Sequence, residues 1–236
     1  TLFRSWHAPL DVVDAAAVQA AVAEFCAQGG GQLRLLFNAA GILRTGAFVD
    51  IELEQHTRLV QINVLGVLNL CHAAFAYLKA TPGAQVINMG SASALYGVPQ
   101  LASYSASKFA VRGLTEALEL EWREYGIRVG DLMPPFVDTP MVRSQAQRPA
   151  VMLRLGVRLE AEQIAAVSSA AVTGAKCARL RHSTAVEAPS GSPAAHSVSE
   201  RSPTVRNDSS CAPEETSTTT SPTIVAVGAT QASGWT

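Results

Sequence analysis

The sequence predicts an α/β fold organised as a doubly wound, mostly parallel sheet. Two observations carry this. From about Trp6 to Thr173, apolar runs of strand length alternate with longer stretches of helical period. The run Gln32 to Phe37 is also short and largely apolar, as in a buried strand. A strand–helix–strand–helix rhythm of this kind argues an open sheet with helices on both of its faces.

The elements follow in order. Ala15 to Ala27 is alanine-rich and amphipathic and runs into Gly29-Gly30-Gly31, as a helix ending at a glycine cap should. Gln32 to Phe37 (QLRLLF) reads as a short buried strand. Asp50 to Lys79 reads as one long helix, stopped before Thr81-Pro82-Gly83. Gln85 to Met89 (QVINM) is a second strand, Leu101 to Tyr125 a further helix and Ile127 to Met133 a further strand. After about Lys176 the character changes. His182 to Pro222 is dominated by Ser, Thr, Pro and Ala and lacks the apolar surface needed to offset the entropy of ordering. Two regions are therefore expected: a folded domain over 1–175 and a low-complexity, disordered tail over 176–236. Within the tail, Ile224 to Val227 could form one isolated strand.

Composition sets limits on partners. A net charge of -1 and a pI near 6.5 give no electrostatic case for nucleic acid or an acidic membrane surface. Cys26, Cys71, Cys177 and Cys211 form no C-x-x-C pair, so neither a metal site nor a disulfide framework is expected. No apolar run looks long enough to span a bilayer, and no signal peptide is apparent at the start. The expectation is a soluble, cytoplasmic protein.

The chemistry concentrates in Gly90 to Lys108, GSASALYGVPQLASYSASK. Tyr104 and Lys108, at i and i+4, share one face of a helix. There an ammonium could lower a phenol pKa that is ordinarily about 10. A serine brought from a preceding strand end, Ser91, could bind the oxygen of a carbonyl or alcohol, so the set suits proton transfer. A Y-x-x-x-K spacing is weak by itself and a surface aromatic beside a solvated lysine explains it as well. Its context is more specific. Asn38-Ala39-Ala40-Gly41 follows a strand, Asn63 and Gly66 lie inside the long helix, and Pro134-x-x-Val137-x-Thr139 follows a later strand. His56 and His72 read as structural or exposed histidines.

This ordered set, together with Leu10-Asp11-Val12, resembles the short-chain dehydrogenase/reductase family in its single-domain, Rossmann-like form. The resemblance implies NAD or NADP as cofactor and a small carbonyl or secondary alcohol as substrate. It implies a catalytic set of Asn63, Ser91, Tyr104 and Lys108. Tyr104 would be the general acid/base, and Lys108 would depress its pKa and hold the nicotinamide ribose. Ser91 would orient the substrate oxygen, with Ser93 a nearby competitor, and Asn63 would hold a relay water at a helix irregularity. Asp11, Asn38, Ala39 and Gly41 would line the adenosine half of the cofactor, although Asp11 also reads as an ordinary cap. Pro134, Val137 and Thr139 would contact the nicotinamide, and Pro140 to Leu159 would cover the substrate. Family members commonly form homo-oligomers through helices equivalent to the two long ones.

The sequence also departs from the family. It holds no G-x-x-x-G-x-G turn, so the fold is expected to be incomplete, lacking its first two strands, a fragment that begins near the third strand at Trp6–Val12 and leaves an edge of QLRLLF exposed. Pro135 stands where the family usually has glycine. The resemblance stops near Thr173-Gly174, and the tail beyond reads like a joined or frame-shifted segment. Two functions follow: an NAD(P)-dependent oxidoreductase, or a truncated scaffold derived from one that binds dinucleotide poorly or not at all.

Overall fold

The computed structural model describes residues 8–173 and 224–227. Helix α1 spans Ala15–Gln28 and begins where the Asp14 carboxylate accepts a hydrogen bond from the Ala17 N–H at 3.0 Å. Its buried stripe of Val18, Val22, Phe25 and Cys26 has the spacing of one helical face. Gly30 and Gly31, with φ of +69° and +81°, turn the chain out of the helix in the left-handed region that glycine alone adopts freely.

Three strands follow: β1 (Leu35–Asn38), β2 (Gln85–Met89) and β3 (Arg128–Leu132). All pair parallel, with Leu36 opposite Val86 and Val86 opposite Val129. These three residues share one sheet face and join a single core with Val18 and Val22 of α1. That core also takes Leu70, Ala74 and Leu78 from α3 (Gly66–Lys79) and Val111 from α4 (Ala102–Glu121).

The structure corrects several boundaries. The strand expected at Gln32–Phe37 begins only at Leu35, because the Leu33 N–H is already satisfied by the Thr81 hydroxyl at 2.9 Å. The helix expected over Asp50–Lys79 is three pieces: α2 (Leu53–Val60), a π turn at Gln61–Leu65, and α3. By length and composition Leu53–Lys79 is apolar enough to cross a bilayer, contrary to the expectation from sequence. Its apolar face along α3 is instead spent on the core. No strand occurs over residues 8–12.

Strand β4 (Val137–Asp138) pairs parallel with β5 (Leu159–Glu160), and the short helices α5 (Pro140–Arg143) and α6 (Ala150–Leu155) lie between them in sequence. Helix α7 spans Ala161–Thr173. Strand β6 (Ile224–Val227) is not isolated. It pairs parallel with β1, Leu35 opposite Ile224, giving the order β3-β2-β1-β6 and covering the β1 edge expected to be bare. The remainder of the expected disordered tail lies outside the described residues.

Gly66 follows the π turn where α3 meets the segment before α1. A Cβ there would stand 2.5 Å from Val12 Cγ2, a stiff β-branched side chain. Gly66→Ala is therefore expected to cost about 1–3 kcal/mol by overpacking, read as a lower denaturation midpoint at unchanged slope.

Candidate active site

Strands β1, β2 and β3 end on the same side of the sheet, and the loops leaving them build the site. Ser91 follows β2, and its hydroxyl accepts the Ser93 N–H at 3.2 Å. The next N–H, of Ala92, donates to the Pro134 carbonyl at 2.9 Å, tying the serine loop to the loop after β3. Ser93 is buried and absent from the cavity wall, so Ser91 is the serine presented to the site.

Tyr104 and Lys108 stand one turn apart on α4. His56 braces the start of that helix: one ring nitrogen lies 2.6 Å from the Ser103 hydroxyl and the other 3.0 Å from the Phe48 carbonyl. Burial pushes the Tyr104 pKa above its ordinary value, while its hydrogen bond with Ser91 acts in the opposite direction. Lys108 Nζ donates to the Met89 carbonyl at 2.7 Å and lies 5.6 Å from the Tyr104 ring centre. The ammonium is thus held by a backbone carbonyl beside the phenol ring.

Burial pushes the Lys108 pKa down from 10.5 to about 8. Between those two values the unfolded chain binds the proton that the native chain has released, so stability rises with pH. From pH 8 to 10 the stability of wild type relative to Lys108→Met should rise in denaturant titrations, while the buried Cys26 and Cys71 thiols, their pKa values raised by burial, lower the stability of both proteins alike. An identical pH response in the two proteins would exclude Lys108 as a source.

Asn63 sits in the π turn and is 1% exposed. Its Oδ1 accepts the Ile42 N–H at 2.8 Å, and its Nδ2 donates to the Ile42 carbonyl at 3.0 Å and the Ser107 hydroxyl at 3.1 Å. The carboxamide therefore clamps the loop after β1 against α4. The helix irregularity expected around this asparagine is present as the π turn.

A cavity of about 310 Å³ opens over Ser91, Tyr104 and Lys108. Ala39, Gly41, Pro134, Val137 and Thr139 also line it, and Pro135 lies in its wall beside Pro134. Asn38 and Asp11 do not. Asn38 turns its amide into the sheet, donating to Asn88 Oδ1 at 2.8 Å. Asp11 accepts the Val13 N–H at 3.0 Å and pairs with Arg58 at 3.1 Å, contacts that hold its carboxyl below the usual range. Thr139 caps α5, whose Met141 and Val142 reach the cavity as the proposed cover segment.

Sequence reasoning missed Leu43, Phe136 and Ile164, which complete the wall. Ala161, Ile164 and Ala165 carry a usable signal, a helical i, i+3, i+4 spacing on α7. Leu43 and Phe136 sit in loops, where no periodicity marks them.

Gly41 and Gly90 give the wall its close approach. A Cβ on Gly41 would lie 3.2 Å from Asn63 Oδ1, and one on Gly90 would lie 2.9 Å from the Leu132 carbonyl. These glycines let the loops after β1 and β2 pack against Asn63 and β3, and the small and apolar residues lining the cavity suit the nicotinamide half of a dinucleotide.

Comparison with known proteins gives the family. Residues 3–150 match the family model described as short chain dehydrogenase. The chain is 35% identical over 139 residues to oxidoreductase UcpA of Salmonella typhimurium, covering 58% of this chain and 52% of that protein. It is 31% identical over 151 residues to a cyclohexanol dehydrogenase of Acinetobacter, covering 62% and 60%. Among solved structures it resembles a gluconate 5-dehydrogenase from Burkholderia cenocepacia in complex with NADP and tartrate. That likeness has a TM-score of 0.62 and 30% identity over 70% of this chain and 66% of the other. A 3-ketoacyl-(acyl-carrier-protein) reductase from Brucella melitensis complexed with NADH gives 0.61 and 27%, covering 68% and 67%. The chain spans about half the length of the first of these curated relatives. With a family match over most of its length and a Rossmann-like parallel sheet beneath the site, the chain belongs to the short-chain dehydrogenase family.

Proposed function

We propose that this chain transfers a hydride between NAD(P) and a carbonyl or secondary alcohol, with Tyr104 as the general acid/base. The observation that carries the reading is that Ser91, Tyr104 and Lys108 line one cavity at the carboxyl ends of the strands. Open α/β sheets bind their ligands at this end.

Bound NAD(P)H supplies the hydride. In reduction, Tyr104 would give its proton to the substrate oxygen as the carbonyl becomes an alcohol. A phenol whose pKa is raised by burial is protonated at neutral pH, so this direction starts from its resting state. Ser91 donates to the substrate oxygen as charge grows there. Lys108, anchored on the Met89 carbonyl, stands within the same wall to hold the ribose and return a proton to Tyr104. Ala39, Gly41, Pro134, Val137 and Thr139 would hold the nicotinamide side. The side chains of Asp11 and Asn38 are committed elsewhere, so their contribution to the adenosine side would come through the backbone. Asn63 would serve the relay through backbone groups loosened by the π turn, since its carboxamide is already engaged.

The test is titration of NADH and NADPH against the purified chain by nucleotide fluorescence. Saturable binding of either supports the reading. Failure of both to saturate on a folded chain rejects it in favour of a scaffold that does not bind dinucleotide.

A further inference from the structure

We propose that the cavity selects an uncharged, apolar ketone or secondary alcohol and rejects carboxylates and polyols, a proposal that rests on Tyr104 marking the reacting oxygen. Around Tyr104 the wall is made by Leu43, Phe136, Val137, Met141, Val142 and Ile164. These come from four separate parts of the chain: the loop after β1, the loop and strand after β3, α5, and α7. The apolar surface is therefore a property of the assembled site and not of one amphipathic segment.

The polar inventory is short. Ser91 and Tyr104 are needed by one substrate oxygen. The Thr139 hydroxyl faces the Val142 N–H at 3.4 Å as the cap of α5. Lys108 is the one charged side chain among the described wall residues, and its ammonium is bound to the Met89 carbonyl. Nearby cations are also engaged: Arg143 pairs with Asp138 at 2.7 Å, and Arg44 donates to the Leu43 carbonyl at 2.9 Å.

Desolvation then decides the class. A carboxylate drawn among the apolar side chains would lose its water, because Lys108, the one cation among the described wall residues, stands beside Tyr104 where the reacting oxygen is placed. Each further hydroxyl of a polyol would lose hydrogen bonds to water without a partner to replace them. An apolar ring or chain loses nothing and gains burial.

The experiment measures binding directly, by saturation-transfer NMR on the full chain, with 2-decalone, gluconate and threitol as probes. 2-Decalone should saturate, whereas gluconate and threitol should show no saturation at tenfold higher concentration. Val142→Asp, at a half-buried wall position, should weaken 2-decalone at least tenfold, and Val142→Leu should retain it. Met141→Asp provides a second reading from the same wall. Tighter binding of gluconate or threitol than 2-decalone would overturn the proposal, as would unchanged 2-decalone binding in folded samples of both Asp variants. Saturable 2-decalone binding without reduction under NADPH would uphold this selectivity while rejecting the dehydrogenase reading. Reduction of gluconate's keto form in preference to 2-decalone would do the reverse.

Discussion

Tyr104→Phe is expected to lower kcat for carbonyl reduction by about 10²–10⁴-fold, the usual contribution of a positioned general acid. The substitution removes one oxygen from a half-buried ring and leaves the surrounding packing of Leu43, Leu101 and Phe136 in place. Binding of NADH or NADPH should therefore remain within a few-fold of wild type. A fall in kcat with little change in substrate KM is the signature of a group acting only in the transition state. In the wild-type enzyme, raising the pH towards the elevated phenol pKa should depress reduction, because the proton donor is then lost. Turnover by the variant at wild-type rate would remove Tyr104 from the mechanism.

Asn63→Ala should be the most damaging substitution among the polar residues behind the cavity. It deletes three hydrogen bonds and leaves the Ile42 N–H and carbonyl without the partners they have in the native loop. At about 1 kcal/mol for each net bond, and more for a buried group left unsatisfied, the cost is about 2–4 kcal/mol. For a chain of this size that corresponds to a melting temperature lower by roughly 5–15 °C. Gly41 belongs to the loop that Asn63 clamps, and a Cβ there would lie 3.9 Å from Lys108 Nζ, so the loss should also raise the Kd for NADH or NADPH. Asn63→Asp tests the geometry. It keeps an acceptor for the Ile42 N–H but cannot donate to the Ile42 carbonyl or Ser107. Burying its charge against the Ile42 carbonyl should lower the melting temperature at least as far as alanine does; a variant as stable as wild type would show that the clamp carries little energy.

Much of this protein could be read from its residues. Short apolar-rich runs between helical stretches located β2 correctly and β1 and β3 to within a few residues, because strands in an α/β sheet are short and bounded by turns. The spacing of Tyr104 and Lys108, and the order of Ser91, Asn63 and the Asn38–Gly41 turn, were also visible in the chain. The π turn was foreshadowed by an asparagine in mid-helix, a poor helix former that needs a reason to be there.

Other features depended on contacts distant in sequence. The pairing of β6 with β1 joins residues almost two hundred positions apart, and no local pattern in Ile224–Val227 names its partner. Asn38 and Asp11 have the residue types of cofactor contacts, yet their hydrogen bonds with Asn88, Val13 and Arg58 direct their side chains elsewhere. Tyr104 and Lys108 share a helix face, as their spacing required, but the Met89 carbonyl fixes where the ammonium goes.

By itself, the sequence determined the order of the elements and the reacting groups, since both follow from backbone periodicity and side-chain chemistry. Only the tertiary structure decided which groups share one desolvated cavity and which apolar residues enclose it. Desolvation depends on all the atoms around a group, and Leu43, Phe136 and Ile164 reach the same wall from separate parts of the chain.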